Sequence, residues 1–351
     1  MSTPARPLRV ALDVSATRLG SAGVARTIVQ LGDALDARAD VDVVRLGLGT
    51  PPKSGSAARR ALALRLDLEW YPRGVRREAA ARGADVLHLP LPRGPLSPGS
   101  PPTIITVHDL AVVRYPETLS GWNRHYSQRT LRRVLNAADA IVAVSDDTAA
   151  DLAAFAPALS DRVHVIPNGV EEFWSVPAEA PDVAAPYVLA VGTPEPRKNL
   201  ARLVEAMQRR QTAGSPEHLV LVGADGWGGD ELPTVPWLHH LGRVDDRALR
   251  SLYQQAAAVA VPSLHEGSGL PVLEAFAAGA PVAAAKVGAL PETAGDAAVL
   301  FDPLDVRALA AAIDEAIADR DRLIPLGRAR AAAATWSAAA DRYAALYHSL
   351  H

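Results

Sequence analysis

Short apolar runs alternate with amphipathic stretches along nearly the whole chain. "LRVALDV" (8–14) has the hydrophobicity of a strand buried on both faces. "GVARTIVQLGDALDA" follows, with Val24, Ile28, Leu31 and Leu35 on one helical face. "VDVVRLGL" (41–48), "DVLHLP" (85–90), "TIITVHD" (103–109), "AIVAVS" (140–145) and "VHVIPNG" (163–169) predict further strands, with helices over 123–138 and 147–156. The alternation stops at "VEEFWSVPAEAPDVAAPY" (170–187), which has neither period and reads as a linker. It then restarts with strands at 187–192, 218–223, 237–242, 257–263, 281–286 and 297–301. Helices are expected over 199–212, 245–256, 270–279, 304–318 and 320–349. Sustained β–α alternation means parallel sheets covered on both faces. The expected fold is therefore α/β, with two doubly wound, Rossmann-like domains at 1–172 and 173–330. A ligand is expected in the cleft between them, at the carboxyl ends of the strands.

One segment fits this scheme poorly. "AARRALALRLDLEWYPRGVRREAAARG" (57–83) spaces Leu62, Leu64, Leu66, Leu68 and Trp70 at a period closer to a strand than a helix. It also carries seven arginines against Asp67, Glu69 and Glu78. A basic, partly apolar segment suits peripheral contact with an anionic membrane. A solvated face in an arginine-rich protein is the simpler reading.

Composition narrows the class. The chain has no cysteine, so it has no disulfide framework, no Cys-based zinc site and no thiol nucleophile. The net charge of −3 argues against a nucleic-acid partner. Residues 1–172 carry 21 Lys and Arg against 18 Asp and Glu, and residues 173–351 carry 15 against 21. The apolar stretch at the N-terminus is too short for a signal peptide, and no run approaches the ~18 apolar residues of a membrane span. These features predict a cytoplasmic protein, for which any peripheral contact would be with the inner face of the membrane.

Candidate chemistry clusters where strands end. In "AVGTPEPRKNL" (190–200) a strand ends at Gly192, Asn199 is placed to cap the next helix, and Arg197 and Lys198 stand just before that helix. Cations are disfavoured at a helix N-terminus, and a bound anion such as a diphosphate reverses the penalty; the alternative is a solvated pair. In "VAVPSLHEGSGLPVLEAFAAGAPVAA", Pro271 suits a first helical turn and Gly279 a helix end. The amides of Gly267, Ser268, Gly269 and Leu270 are then open to a ligand or cap. Glu266 and Glu274 flank that loop and suit sugar hydroxyls, although Glu274 alone could simply match the helix dipole. His108 and Asp109 end a strand in the first domain, where a histidine is more often structural. Gly20 and Gly23 in "SATRLGSAGVAR" lack the spacing of a dinucleotide fingerprint. Ser145 reads as a helix cap. The Asp40/Asp42 and Asp319/Asp321 pairs open a strand and join two helices, so no metal site is assigned.

In order along the chain, "SAGVARTI", "TVHDL", "ADAIVAVS", "VIPNGV", "VGTPEPRKNL", "LVGADGW", "LGRVDD", "PSLHEGSGLPVLEAFAAGAPV" and "GALPETAGDAAVLFDP" resemble family 4 glycosyltransferases of the GT-B fold. The match is nearest to the bacterial mannosyltransferase-like branch, and the two glutamates with seven residues between them are its most specific element. The resemblance implies a retaining, metal-independent hexosyltransferase that uses a nucleotide diphosphate sugar, GDP-mannose first. The implied acceptor is a hydroxyl on a glycan, a lipid-linked molecule or a small molecule. It implies Glu274 on the ribose, Glu266 on the donor sugar, Arg197 and Lys198 on the diphosphate, and Gly267–Leu270 on sugar and phosphate. It implies His108 on the sugar from the first-domain side, and a C-terminal helix (331–351) crossing back to the first domain. Ser268 departs from an aromatic common at that position, and "GSAG" stands in place of a Gly-Gly pair. A nucleotide-sugar epimerase and a catalytically silent binding subunit are the competing readings.

Overall fold

The computed structural model describes residues 6–19, 22–49, 56–115, 121–183, 186–224 and 232–351. The chain forms two compact units, Met1–Gly169 with Trp336–His351, and Val170–Thr335. The boundaries thus fall at 169/170 and 335/336, against the expected 172/173 and 330/331.

In the first unit β1 (Leu8–Asp13), β2 (Val41–Leu46), β3 (Val86–Leu89), β4 (Thr103–Val107), β5 (Ala140–Ala143) and β6 (Val163–Val165) build one sheet. The order is β2-β1-β3-β4-β5-β6, with every neighbouring pair parallel. Both parities of the central strands β1, β3, β4 and β5 are largely apolar because both faces are covered. Val10, Val86, Ile104 and Val142 enter one core, and Ala11, Leu87, Ile105 and Ile141 the other. The chain leaves β1 on one side for β2 and returns on the other for β3. The crevice outside the carboxyl ends of β1 and β3 is therefore the switch point at which such sheets bind ligands.

In the second unit β7 (Tyr187–Val191), β8 (His218–Val222), β9 (Leu238–His240), β10 (Ala258–Val261), β11 (Val282–Ala285) and β12 (Ala298–Phe301) run β12-β11-β10-β7-β8-β9, again all parallel. The switch point lies between β7 and β10. The loops that leave those strands are the two that carry the candidate residues.

Three expectations are corrected. Residues 56–81 are helical throughout: Ser56–Arg65, then a π-helical stretch Leu66–Gly74, then Val75–Ala81. The strand-like spacing arises because two helical stripes are both apolar, Leu66 and Trp70 facing inward while Leu64 and Leu68 stay 40% and 58% exposed. The single helix expected over 320–349 is two, Arg320–Ala333 and Trp336–Leu350. No breaker residue marks the gap. The Val170 amide donates to the Ala334 carbonyl (2.8 Å), and Val170 pairs with Thr335, so another segment takes the backbone there. The expected linker is anchored as well. Trp174 is buried edge-on against Tyr253, and Gln254 Nε2 donates to the carbonyls of Trp174 and Val176.

The last helix packs in the first unit through a buried polar chain. His88 Nε2 meets Thr106 Oγ1 (2.9 Å), His88 Nδ1 meets Tyr347 Oη (2.7 Å), and Thr106 Oγ1 meets Tyr343 Oη (3.0 Å). Burial pushes His88 down to about 3, so it is neutral and both ring nitrogens are used. Among the described residues no helix is long and apolar enough to cross a membrane.

Candidate nucleotide-sugar site

The loop after β7 is held by close backbone approach. A Cβ on Gly223, at the end of β8, would run into the Gly192 carbonyl, so the two strand ends touch only because that residue is glycine. A short turn, Pro196–Lys198, carries the two cations into Asn199, the one non-glycine residue at positive φ (57°) among those described. Asn199 does not cap the helix Leu200–Thr212 as expected. Its Nδ2 instead donates to the carbonyls of Pro262 (2.9 Å) and Pro303 (2.8 Å), which pins this turn to the chain leaving β10 and β12. Its Oδ1, the atom a cap would use, accepts instead from Arg202 Nη1 (2.8 Å).

The loop after β10 is tied to the same turn. The Leu264 amide donates to the Arg197 carbonyl (2.8 Å), and Arg197 Nη1 donates to the His265 carbonyl (2.8 Å). Glu266 is buried where they meet. It accepts from Lys198 Nζ (2.7 Å) and Ser263 Oγ (2.7 Å), with Arg197 Nη1 3.6 Å away. Burial opposes its charge, but Lys198 and then Arg197 outweigh burial and hold the carboxylate at about 2. Its carbonyl accepts from the Ala289 amide (2.9 Å). A Cβ on Gly288, at φ 56°, would stand 2.5 Å from that oxygen. Arg197 Nη2 also bonds Glu195 (2.6 Å). The two cations, read from sequence as awaiting an anion, already face two carboxylates, and Lys198 retains ammonium protons beyond the one given to Glu266.

Gly269, at φ 65°, opens the helix Leu270–Ala278; Pro271 sits in its first turn and Gly279, at φ 81°, ends it. Among the described residues the amides of Ser268, Gly269 and Leu270 meet no acceptor. Thr293 Oγ1 donates to the Ser268 carbonyl (3.2 Å) and holds the loop in place. Glu274 is buried beyond the first turn, where Tyr253 Oη donates to its Oε2 (3.0 Å). A carboxylate so placed is poorly explained by the helix dipole alone, which acts within the first turn.

In the first unit His108 follows β4, and its Nε2 lies 3.1 Å from the Pro90 carbonyl. A carbonyl only accepts, so Nε2 carries the proton and Nδ1 the lone pair. Burial lowers the His108 pKa, against Asp109 and the Pro90 bond, which keeps the ring neutral near pH 7. Ser145 Oγ accepts from the Thr148 amide (3.1 Å), the cap expected for helix Asp146–Phe155. Gly23 lies in the first turn of helix Ala22–Asp36 rather than in a loop. Gly20 lies outside the described residues.

The structure thus joins Arg197, Lys198 and Glu266 in one network beside Gly192 and the 267–270 loop. Glu274 is held separately by Tyr253, and His108 belongs to the other unit. Ser263, Glu195 and Tyr253 escaped the sequence reading. Ser263 stands three residues before Glu266, a spacing at which a hydroxyl reaches a carboxylate, whereas Tyr253 carries no local signal. A groove of about 820 Å³ on the second unit, lined by Phe173, Pro177, Arg247 and Arg250 among others, holds none of these groups.

Comparison with known proteins gives a concordant picture. The family profile described as "Glycosyltransferase Family 4" matches residues 21–172, and that described as "Glycosyl transferases group 1" matches residues 185–319. O-antigen chain mannosyltransferase B of Escherichia coli is 32% identical over 253 residues, covering 66% of each chain. The chain spans about 55 to 66% of the length of the first curated relatives it matches. Sucrose-phosphate synthase from Thermosynechococcus elongatus superposes with a TM-score of 0.73 at 23% identity, over 98% of this chain and 99% of that one. Anabaena HepE, solved with UDP-glucose, superposes at 0.69 with 18% identity, over 97% and 100%. At these identities the two structures speak to the fold alone.

Proposed function

The chain belongs to glycosyltransferase family 4, and on that premise we propose that it transfers a hexose from a nucleotide diphosphate sugar to a hydroxyl acceptor, with retention of configuration. Mannose from GDP-mannose is the favoured donor. The mannosyltransferase relative supports it, and a UDP-sugar such as that held by Anabaena HepE is the competitor. One observation carries the reading: Arg197, Lys198 and Glu266 converge at the switch point of the second sheet, next to the amides of Ser268, Gly269 and Leu270. Cations and amides there neutralise the charge that develops on a departing diphosphate, and no metal ion is required for that role. Glu266, held ionised, accepts hydroxyls of the donor sugar, and Glu274 those of the ribose. His108 is assigned to the sugar on the resemblance of "TVHDL", with Nδ1 as the acceptor.

The test is nucleotide release from a panel of GDP- and UDP-sugars, with and without acceptors. The expected result is release that rises when an acceptor is added, unaffected by EDTA. Binding without turnover across the panel would instead mark a silent subunit. A changed nucleotide sugar with no transfer would mark an epimerase.

A further inference from the structure

The π-helical stretch Leu66–Gly74 organises the carboxyl edge of the first sheet. Inserted π turns rotate side chains out of α-helical phase and recur at functional sites. Here the turn buries Asp67, Trp70 and Tyr71 together. Trp70 Nε1 donates to Asp13, the last residue of β1 (2.9 Å). Asp67 pairs with Arg93, which follows β3, and accepts from Trp122 Nε1 (2.8 Å), while its carbonyl accepts from Tyr126 Oη (2.8 Å). Trp122 is in the first turn of helix Gly121–Asn136, the next long helix after β4. β1, β3 and the chain after β4 therefore all deliver groups to one edge, beside the switch point.

Trp122 is 43% exposed, yet its only polar atom is spent on a buried carboxylate. Behind it Tyr126 stacks at 6.2 Å between centroids, with the Arg93 guanidinium 5.4 Å from the Tyr126 ring. The indole is thus fixed in orientation and presents apolar surface to solvent beside the switch point of the sheet. A flat, electron-rich face of that size matches the C–H face of one pyranose ring.

We propose that Trp122, anchored by Asp67 and Tyr126, is a stacking platform for a sugar ring of the acceptor, so that the acceptor is a saccharide rather than a simple alcohol. The inference rests on the glycosyltransferase reading above for the word acceptor, and on the first unit alone for the sugar-binding surface.

Wild type, Trp122→Ala and Trp122→Phe are titrated with methyl α-mannopyranoside, methyl α-glucopyranoside and mannobiose at millimolar concentration, followed by saturation-transfer NMR. Transfer to the C–H protons of one ring face is expected in the wild type. Affinity should fall about tenfold in Trp122→Ala and by less in Trp122→Phe, which keeps a ring but loses the N–H anchor to Asp67. Should Trp122→Ala fail to fold by circular dichroism, Asp67→Ala, which leaves the indole N–H without that acceptor, serves instead. It frees the indole from its anchor and should weaken glycoside binding severalfold. No transfer in the wild type, or equal binding by a folded Trp122→Ala protein, overturns the proposal. So does loss of binding to phosphatidylglycerol vesicles without loss of glycoside, because the platform then serves a membrane. GDP and UDP binding, measured in parallel, reports separately on the second unit. If nucleotide binding fails while Trp122-dependent glycoside binding holds, the glycosyltransferase reading falls and the sugar surface stands.

Discussion

Each unit buries a carboxylate near the carboxyl end of a strand, and the two are treated in opposite ways. Glu266, 7% exposed, faces Lys198 and Arg197 and is held at about 2. Asp13, 2% exposed, accepts from Ser15 and Trp70, both neutral, and burial pushes it up to about 6 despite them and the more distant Arg18. Neutral donors satisfy lone pairs but leave most of the desolvation cost of the charge in place, whereas a cation offsets it. The second unit therefore presents an edge of matched charges, suited to exchange one anion for another. At the first, Asp67 and Arg93 are paired with each other and the exposed aromatic group is the indole of Trp122, which suits a neutral ring better than an anion.

That contrast can be broken in several places. The largest effect is expected from Lys198→Ala, which removes the cation closest to Glu266. Turnover should fall by about 10²–10³, and a loss under about threefold in steady-state kinetics would remove Lys198 from the charge-bearing role. Next is the pH dependence of stability, which should have opposite signs in the two units. Asp13 binds its proton more tightly folded than unfolded, so stability should fall as pH rises from about 4 to about 6, by about 2–3 kcal/mol in all. Glu266 binds its proton less tightly when folded, so its contribution is present above about 4.5 and is lost as pH falls toward about 2. Urea denaturation of Asp13→Asn should lose the first slope and gain stability at pH 7, and Glu266→Gln should lose the second. An unchanged slope in either variant would void that half of the comparison. Glu274→Ala should weaken nucleotide binding about tenfold by calorimetry, the value of one charge-assisted hydrogen bond; unchanged affinity would take Glu274 out of the nucleotide site. Smallest is ionic strength. Raising salt from about 0.1 to about 0.5 M should weaken nucleotide binding a few-fold and leave glycoside binding at Trp122 unchanged. Equal salt sensitivity would mean that the first edge also binds its ligand through charge.

Much of the framework was legible because its signals are local. Strands β1 to β12 lie within the predicted apolar runs, whose continuity follows from burial on both faces. Pro271, Gly279 and Ser145 stand at helix ends as their backbone and side-chain preferences require. The errors have a common cause. Asn199 has the residue type of a cap, but the carbonyls of Pro262 and Pro303, which follow other strands, hold its Nδ2, and its Oδ1 accepts from Arg202 rather than from the helix amides. The segment at 56–81 carries two apolar helical stripes, and alternation cannot tell two stripes on a helix from two faces of a strand. The helix break at Ala334 has no local cause, since Val170 imposes it from the other end of the second unit.

The sequence by itself determined the two doubly wound sheets and the loops that carry Arg197, Lys198, Glu266 and Glu274. Hydrophobic period, glycine and proline act over a few neighbouring residues. Only the tertiary structure decided which charges meet. Lys198 and Glu266 are 68 residues apart in sequence and 2.7 Å apart in space. Asp13 and Trp70 are 57 residues apart and share a hydrogen bond of 2.9 Å. Electrostatic and hydrogen-bond energies depend on distance and burial. A carboxyl group is therefore held ionised at one edge and pushed toward its protonated form at the other, for reasons no local pattern contains.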